Sequence, residues 1–355
     1  MEVMKSKIGR YNMTDQTVFD DIRHDQWMEV SKELYRRVFA EEAPENIYDW
    51  IVSRINKLQP ADASSMATLW ADSFEIYDKE IDRRIEISKL PEDQRKLFTW
   101  PWASWNNMID PAEGGMLAVL AGPDGAGKTS YAECIAEHWA RKGHKVVFVH
   151  FELSKIIMFD RRAARHTAIA RRKLKLAGDL TITDKRKLEE TKNRLLQWSG
   201  EITYMHTPGK SVELVLRELD KYKADNMCDV VIIDYLEKAS SSSKQLKEFG
   251  SNLFAREAAD VELLKSWSEN NNIPMLVLSQ FNKAGKMSGF GNLDRTMIRG
   301  AGEKTEKANV VILLQPDKDL DNVINVRVDK NTLGPTGSLQ QFFDAPLFSV
   351  GDVVE

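Results

Sequence analysis

The chain of 355 residues carries 50 Lys and Arg against 54 Asp and Glu, a net charge of −4, and 42% of its residues are hydrophobic. Such proportions exclude a disordered or fibrous chain, and the near balance of charge excludes a global basic field, so any nucleic-acid contact must come from a local patch. The two cysteines, Cys134 and Cys228, stand far apart and read as small buried apolar residues rather than a disulfide framework or a zinc set.

In chain order, Met1 to Met13 holds Lys5, Lys7 and Arg10 but no apolar core of a signal peptide, so it reads as a disordered start. Apolar runs throughout are strand-length, too short for a membrane span. Residues 14–90 read as helical. Trp27, Leu34 and Val38 form one stripe, Ile47, Ile51, Ile55 and Leu58 a second, and Phe74, Tyr77, Ile81 and Ile85 a third. Pro44, Pro60 and Pro91 punctuate them. Six of the nine tryptophans precede residue 106. A helical N-terminal domain over 1–90, a small bundle with a Trp-rich core, is therefore expected, with a partner-docking surface as the alternative. Residues 91–112 read as a linker, in which Trp100, Trp102 and Trp105 either stack on a base or, the favoured reading, anchor the segment.

From residue 113 to 355 apolar runs alternate with helical patterns. Strands are expected at Met116–Ala121, Lys145–His150, Val230–Ile233, Met275–Ser279, Val310–Leu314 and Ile324–Val328. Continuous Val/Ile/Leu-rich runs of this kind are buried on both faces of a mostly parallel sheet, which makes the fold class α/β. The first strand feeds Gly122-Pro123-Asp124-Gly125-Ala126-Gly127-Lys128-Thr129, which fits G-x-x-x-x-G-K-[ST], and a helical pattern over Thr129–Lys142 follows. Strand, glycine loop and helix in that order make a phosphate cradle. Glycines let backbone N–H groups curl around phosphates, and the helix N-terminus adds partial positive charge. Lys128 is placed to reach the β- and γ-phosphates of ATP and Thr129 to bind Mg²⁺.

Other residues stand where such chemistry needs them. Cys228 to Asp234 is a hydrophobic strand ending in an acid, and Asp234 at its carboxyl end is placed to hold Mg²⁺ or its waters. Glu152, after the strand at 145–150, reads equally as the group that activates a water and as an acid favouring the next helix start. Gln280 reads equally as a γ-phosphate sensor and as a polar residue entering a loop. Phe281 to Gly302 holds Lys283, Lys286, Arg295 and Arg299 among Gly285, Gly289, Gly291, Gly300 and Gly302. A mobile, cationic loop suits a phosphate backbone; an ordinary surface loop is the alternative. The basic run from Arg161 to Lys175 reads as a solvated helix face and is not assigned to binding.

In order, Gly122–Thr129, Phe151-Glu152-Leu153-Ser154, Ile232-Ile233-Asp234-Tyr235-Leu236, Leu278-Ser279-Gln280-Phe281-Asn282 and Lys330-Asn331-Thr332-Leu333-Gly334-Pro335-Thr336-Gly337 resemble the RecA-type motor of the DnaB-like replicative helicases, and Thr207-Pro208-Gly209 also fits. The resemblance spans roughly residues 105–344. It implies a RecA-like core with ATP and Mg²⁺ at the subunit interfaces of a hexameric ring, moving 5′ to 3′ on single-stranded DNA, and a possible primase or loader as partner. It makes Glu152 the activating base, Asp234 the metal ligand, Gln280 the sensor and Lys330 a residue reaching into the neighbour's site. Arg299 and Gly302 match a segment that the family lays on the DNA backbone.

Two departures stand out. The family's Lys-x-Arg is here Lys330-Asn331-Thr332, so Thr332 replaces an arginine finger, a group usually worth about 10³–10⁵ in rate; either Lys330 alone or another arginine, such as Arg327, substitutes, or hydrolysis is slow. The N-terminal segment is also shorter than the family's collar and lacks primase-type zinc cysteines. The expected activity is that of an ATP-driven single-stranded-DNA translocase, a replicative helicase subunit. The rivals are a DNA-binding ATPase that does not unwind (recombinase-like, a loader or a switch) and, fitting poorly, a small-molecule kinase.

Overall fold

The computed structural model describes residues 28–40, 42–58, 70–91, 94–287, 291 and 293–353. The expectations for Met1–Met13, Trp27, Pro60 and Gly289 fall outside these residues. The chain divides into two units, Met1–Lys89 and Leu90–Glu355. In the first, helices run over 28–39, Pro44–Leu58 and Trp70–Lys89. No described side chain here is fully buried. Val38, Phe74, Tyr77 and Ile85 of the expected stripes are exposed, and Trp50 lies under the Arg37 guanidinium at 4.7 Å. The expected Trp-rich core is not seen among these residues, because three of the tryptophans that suggested it are packed in the second unit.

The second unit is built on a nine-stranded sheet in the order β3-β2-β4-β5-β1-β6-β7-β8-β9. Its strands are β1 Leu117–Gly122, β2 Lys145–His150, β3 Glu201–His206, β4 Val230–Asp234, β5 Met275–Gln280, β6 Val310–Pro316, β7 Val323–Asn331, β8 Gly337–Asp344 and β9 Ser349–Asp352. The first six are parallel to one another and the last three join in antiparallel fashion. Side chains of β1, β2 and β4 to β6 are almost wholly buried, as the continuous apolar runs require when helices cover both faces. The helices that bear on the site are α1 Lys128–Arg141, α2 Lys155–Thr167, α3 Ile182–Leu195, α4 Val212–Ala224, α5 Leu253–Asn271 and α6 Ala301–Lys307.

On one face α1, through Tyr131 and its neighbours, packs with Trp100, Trp102 and Trp105. The indole N–H groups find buried acceptors: Trp105 donates to Gln341 Oε1 at 2.9 Å, Trp102 to the Val350 carbonyl at 3.1 Å and Trp100 to the Asp110 carbonyl at 3.0 Å. These tryptophans thus anchor the linker rather than line a base site. On the opposite face α4 and α5 cover Val231, Ile233 and Val277. A third cluster, Phe281, Ile298, Ala308, Val311 and Leu313, sits over β6.

The pairing of β6 with β7 is irregular at one point. Ile312 pairs with Val328 and Val311 with Lys330, so Asp329 is skipped, as in a β-bulge.

Candidate nucleotide-binding site

The topology brings the carboxyl ends of β1, β2, β4 and β5 together, and the site is built there. Gly122 ends β1, and α1 begins at Lys128. Between them Gly125 and Gly127 hold φ of +81° and +80°, a region that costs any residue with a Cβ. A Cβ on Gly125 would meet nothing within 4 Å, so the loop is open on that side for a bulky anion to approach the backbone. Lys128 is buried and its ammonium donates to the carbonyls of Gly122 and Pro123, both at 2.9 Å. Burial pulls its pKa below the ordinary lysine value. The first turn of α1 contains no acid, leaving its N-terminal field positive.

A cavity of about 450 Å³ opens over this loop, lined by Lys128, Thr129, Glu152, Asp234 and Gln280 among others. The sequence-predicted catalytic residues of one protomer therefore meet in one place. Asp234 is buried, and burial pushes its carboxyl up to about 6, opposed by the adjacent Thr129 hydroxyl. An acid and a hydroxyl side by side, hidden from solvent beside a lysine, are oxygen donors suited to Mg²⁺. Glu152 is half-exposed across the opening, 3.8 Å from the Lys238 ammonium. Gln280 ends β5 in register with Gly122 of the neighbouring β1. A triphosphate with Mg²⁺ fits this donor set: N–H groups and Lys128 for phosphate, Thr129 and Asp234 for metal.

The same cavity holds a residue that sequence reasoning set aside. Arg161 lines it, and its Nη2 donates to Ser130 Oγ at 2.8 Å. Over Arg161–Arg165 the basic run is not the solvated face expected of it, whereas Arg172 and Lys175 are exposed. Glu133 and Glu137 on α1 are wholly buried, and α2 turns its cations onto them: Arg161 and Arg165 meet Glu133 at 3.2 and 2.5 Å, and Arg162 and Arg165 meet Glu137 at 3.2 and 2.6 Å. His166 adds a bond to Glu137 at 2.9 Å. Burial raises the Glu133 carboxyl, whereas Glu137, despite its burial, is held down to about 2 by Arg165 and His166. Buried acids demand such partners. The available signal was the spacing of Glu133 and Glu137, four apart on a helix otherwise apolar on that side.

The expected mobile loop after Gln280 is partly folded over its described residues. Phe281 bridges to Ile298, Lys283–Met287 is helical, and the Arg299 amide donates to the Gln280 carbonyl at 2.8 Å. Lys283 and Gly302 are exposed. Lys286 instead reaches the P-loop, 2.6 Å from Asp124 Oδ2. Arg295 leans toward Asp329 at 3.9 Å, as does Arg327 at 3.2 Å. Arg299 faces Glu257 at 3.5 Å. Lys330 stands on β7 and donates to the carbonyls of Thr305 and Glu306 at the end of α6, both at 2.8 Å. It lies outside the cavity of its own protomer, as does the exposed Thr332.

Residues 102–350 match the family model of the DnaB-like helicase C-terminal domain. No curated protein sequence matches the chain. Among solved structures, a DnaB-like replicative helicase studied for its interactions with primase superposes with a TM-score of 0.76 at 16% identity, over 96% of this chain and 78% of that one. A second solved structure, an ATPase domain, superposes with a TM-score of 0.69 at 18% identity, over 81% of this chain and 100% of that one. At such identities the likeness is one of fold, a RecA-like core preceded by helices. Among the described residues no helix is long and apolar enough to cross a membrane.

Proposed function

The chain belongs to the DnaB-like helicase C-terminal domain family, and from that premise we propose that it is an ATP-driven translocase on single-stranded DNA, the subunit of a replicative-type helicase ring. The observation that carries this reading is the meeting of Lys128, Thr129, Glu152, Asp234 and Gln280 around one cavity. In the reaction, water attacks the γ-phosphorus of ATP and ADP leaves. Glu152 orients that water and takes its proton. Lys128 and the loop N–H groups hold the β- and γ-phosphate oxygens, and the Gln280 amide donates to the γ-phosphate without adding charge. Thr129 and Asp234 would hold Mg²⁺, which would neutralise charge on the phosphates. Arg161 adds a cation from the same protomer. Lys330, outside its own cavity, serves the neighbour's site, so hydrolysis requires adjacent subunits, six in a ring moving 5′ to 3′. Lys283, Arg295, Arg299 and Gly302 carry the DNA backbone.

The test is hydrolysis with and without single-stranded DNA, together with fork unwinding, for wild type and Glu152→Gln. Stimulation and unwinding lost in the variant support the reading; a wild type that does neither overturns it. Thr332 in place of an arginine favours one rival, a DNA-binding ATPase that does not unwind. Closed six-fold particles with a non-hydrolysable nucleotide support the helicase, and filaments or monomers support the rival.

A further inference from the structure

Behind Gln280 lies a buried ion pair that takes no part in holding nucleotide. Glu237 follows β4 and Lys304 sits on α6, both almost fully buried, with Lys304 Nζ 2.6 Å from Glu237 Oε1. The partners of these two groups close a circuit. Glu237 Oε1 accepts from the Gln280 backbone N–H at 3.3 Å and from the Ser279 hydroxyl. Lys304 donates to the Arg299 carbonyl at 2.9 Å and lies 3.4 Å from Glu257, the acid that faces the Arg299 guanidinium. The Arg299 N–H then returns to the Gln280 carbonyl at 2.8 Å. Four residues from three separate stretches of chain are thus hydrogen-bonded in a ring, with the expected sensor at one side and an expected DNA contact at the other.

We propose that Glu237 and Lys304 are positioning residues that make Gln280 and Arg299 move as one body, so that the DNA segment sets where the sensor amide stands. The inference rests on the helicase reading above and adds to it the physical link between the two sites. Three features carry it. First, the pair is desolvated, so its attraction is little screened and holds one geometry. Second, a single oxygen, Glu237 Oε1, takes the Lys304 ammonium, the Ser279 hydroxyl and the Gln280 N–H together, so the three groups share one anchor. Third, the pair reaches a backbone group of each functional residue, the Gln280 N–H and the Arg299 carbonyl, so a shift of Arg299 can pass to Gln280 without either functional side chain changing rotamer. Coupling between sites needs such a contiguous element that both can bias.

Lys304→Met leaves Glu237 as a lone buried charge and Glu237→Gln leaves Lys304 with Glu257 alone, so each single variant is expected to fold less well than wild type. The informative variant is therefore the doubly neutral Glu237→Gln/Lys304→Met. It leaves an amide oxygen for the Gln280 and Ser279 donors and keeps the direct Arg299 N–H to Gln280 carbonyl bond, but removes the brace that runs through Lys304 to the Arg299 carbonyl. Full-length protein is assayed for thermal midpoint, nucleotide KM, and the ratio of hydrolysis rates with and without single-stranded DNA. The expected result is a folded protein with a nucleotide KM within about twofold of wild type and a stimulation ratio reduced about tenfold, within the usual range for coupling between two sites. A folded double variant with the wild-type ratio overturns the inference and leaves the helicase reading standing. A wild type that DNA does not stimulate overturns both. A merely structural pair would change the thermal midpoint and leave the ratio alone.

Discussion

The ammonium of Lys286 stands 2.6 Å from the carboxylate of Asp124, tying the segment after β5 to the phosphate-binding loop. Lys286 holds the Asp124 carboxyl below the usual range and neutralises an acid beside the phosphate site. Lys286→Ala therefore leaves an unscreened negative charge there. Both side chains are substantially exposed, so the thermal midpoint changes little, and the KM for ATP rises about two- to fivefold, the size of an exposed ion pair. The rise shrinks in high salt. Steady-state kinetics at two ionic strengths check this.

Arg165 is the cation shared by Glu133 and Glu137, and its side chain is almost wholly buried. Arg165→Met leaves Glu133 with Arg161 alone and Glu137 with Arg162 and His166, and is expected to cost about 3 kcal/mol of stability. Urea unfolding with an unchanged slope would measure it. A loss below about 1 kcal/mol, the value of a surface pair, would mean that the network is solvated.

Asp234 gives a pH signature with a definite sign. Burial raises its folded pKa to about 6, above the ordinary aspartate value of 3.8. The folded protein therefore binds a proton more readily than the unfolded one, and stability is lost as pH rises through about 6. Asp234→Asn removes that penalty and should stabilise the chain at pH 8 by about 2–3 kcal/mol, a gain that fades to nothing near pH 4. Mg²⁺-dependent hydrolysis disappears in the same variant. Denaturant unfolding across pH, without nucleotide, reads the first effect; the absence of stabilisation at pH 8 would contradict it.

Thr332 is exposed at the end of β7 and tied to the sheet by its backbone, its N–H donating to the Asn309 carbonyl at 2.9 Å. Its side chain can therefore be changed without disturbing packing. Thr332→Arg is expected to raise the DNA-stimulated kcat at least about tenfold, part of what an arginine finger is worth. The increase should vanish at protein concentrations too low for assembly. No gain in assembled protein would mean that this position does not face a neighbour's nucleotide.

How far the sequence was legible follows from which residues speak locally. The strands over 117–122, 145–150, 230–234, 275–280 and 310–316 lie within two residues of the expected runs, since a strand covered on both faces must be apolar throughout. β3, β8 and β9 were not expected. Glu201–His206 is an edge strand with mixed exposure, and Gly337–Asp344 carries the buried Gln341 between Leu339 and Phe343, where a periodic pattern would need an apolar residue. Antiparallel and edge strands can face solvent, so their composition does not announce them. Glu152 and Gln280 were ambiguous because position alone does not tell a strand-end acid or amide from a loop residue; only the cavity joins them. Arg161 and the Glu237–Lys304 pair had no local signature at all, since each is defined by a partner far away in sequence.

The skipped residue in β7 has a consequence for which way a charge points. Side chains alternate along a strand, and Val326 and Val328 are buried with the tryptophans on one face of the sheet. Were the count regular, Lys330 would follow them inward, into a layer of indoles with nothing to accept its protons. The extra residue at 329 inverts the alternation once. The lysine comes out beside Val311's partners on the other face, where the carbonyls ending α6 receive it. A single spare residue thus decides whether this strand delivers a cation or a misfolded core, and an insertion or deletion of one residue elsewhere between 324 and 330 would undo it while preserving every motif.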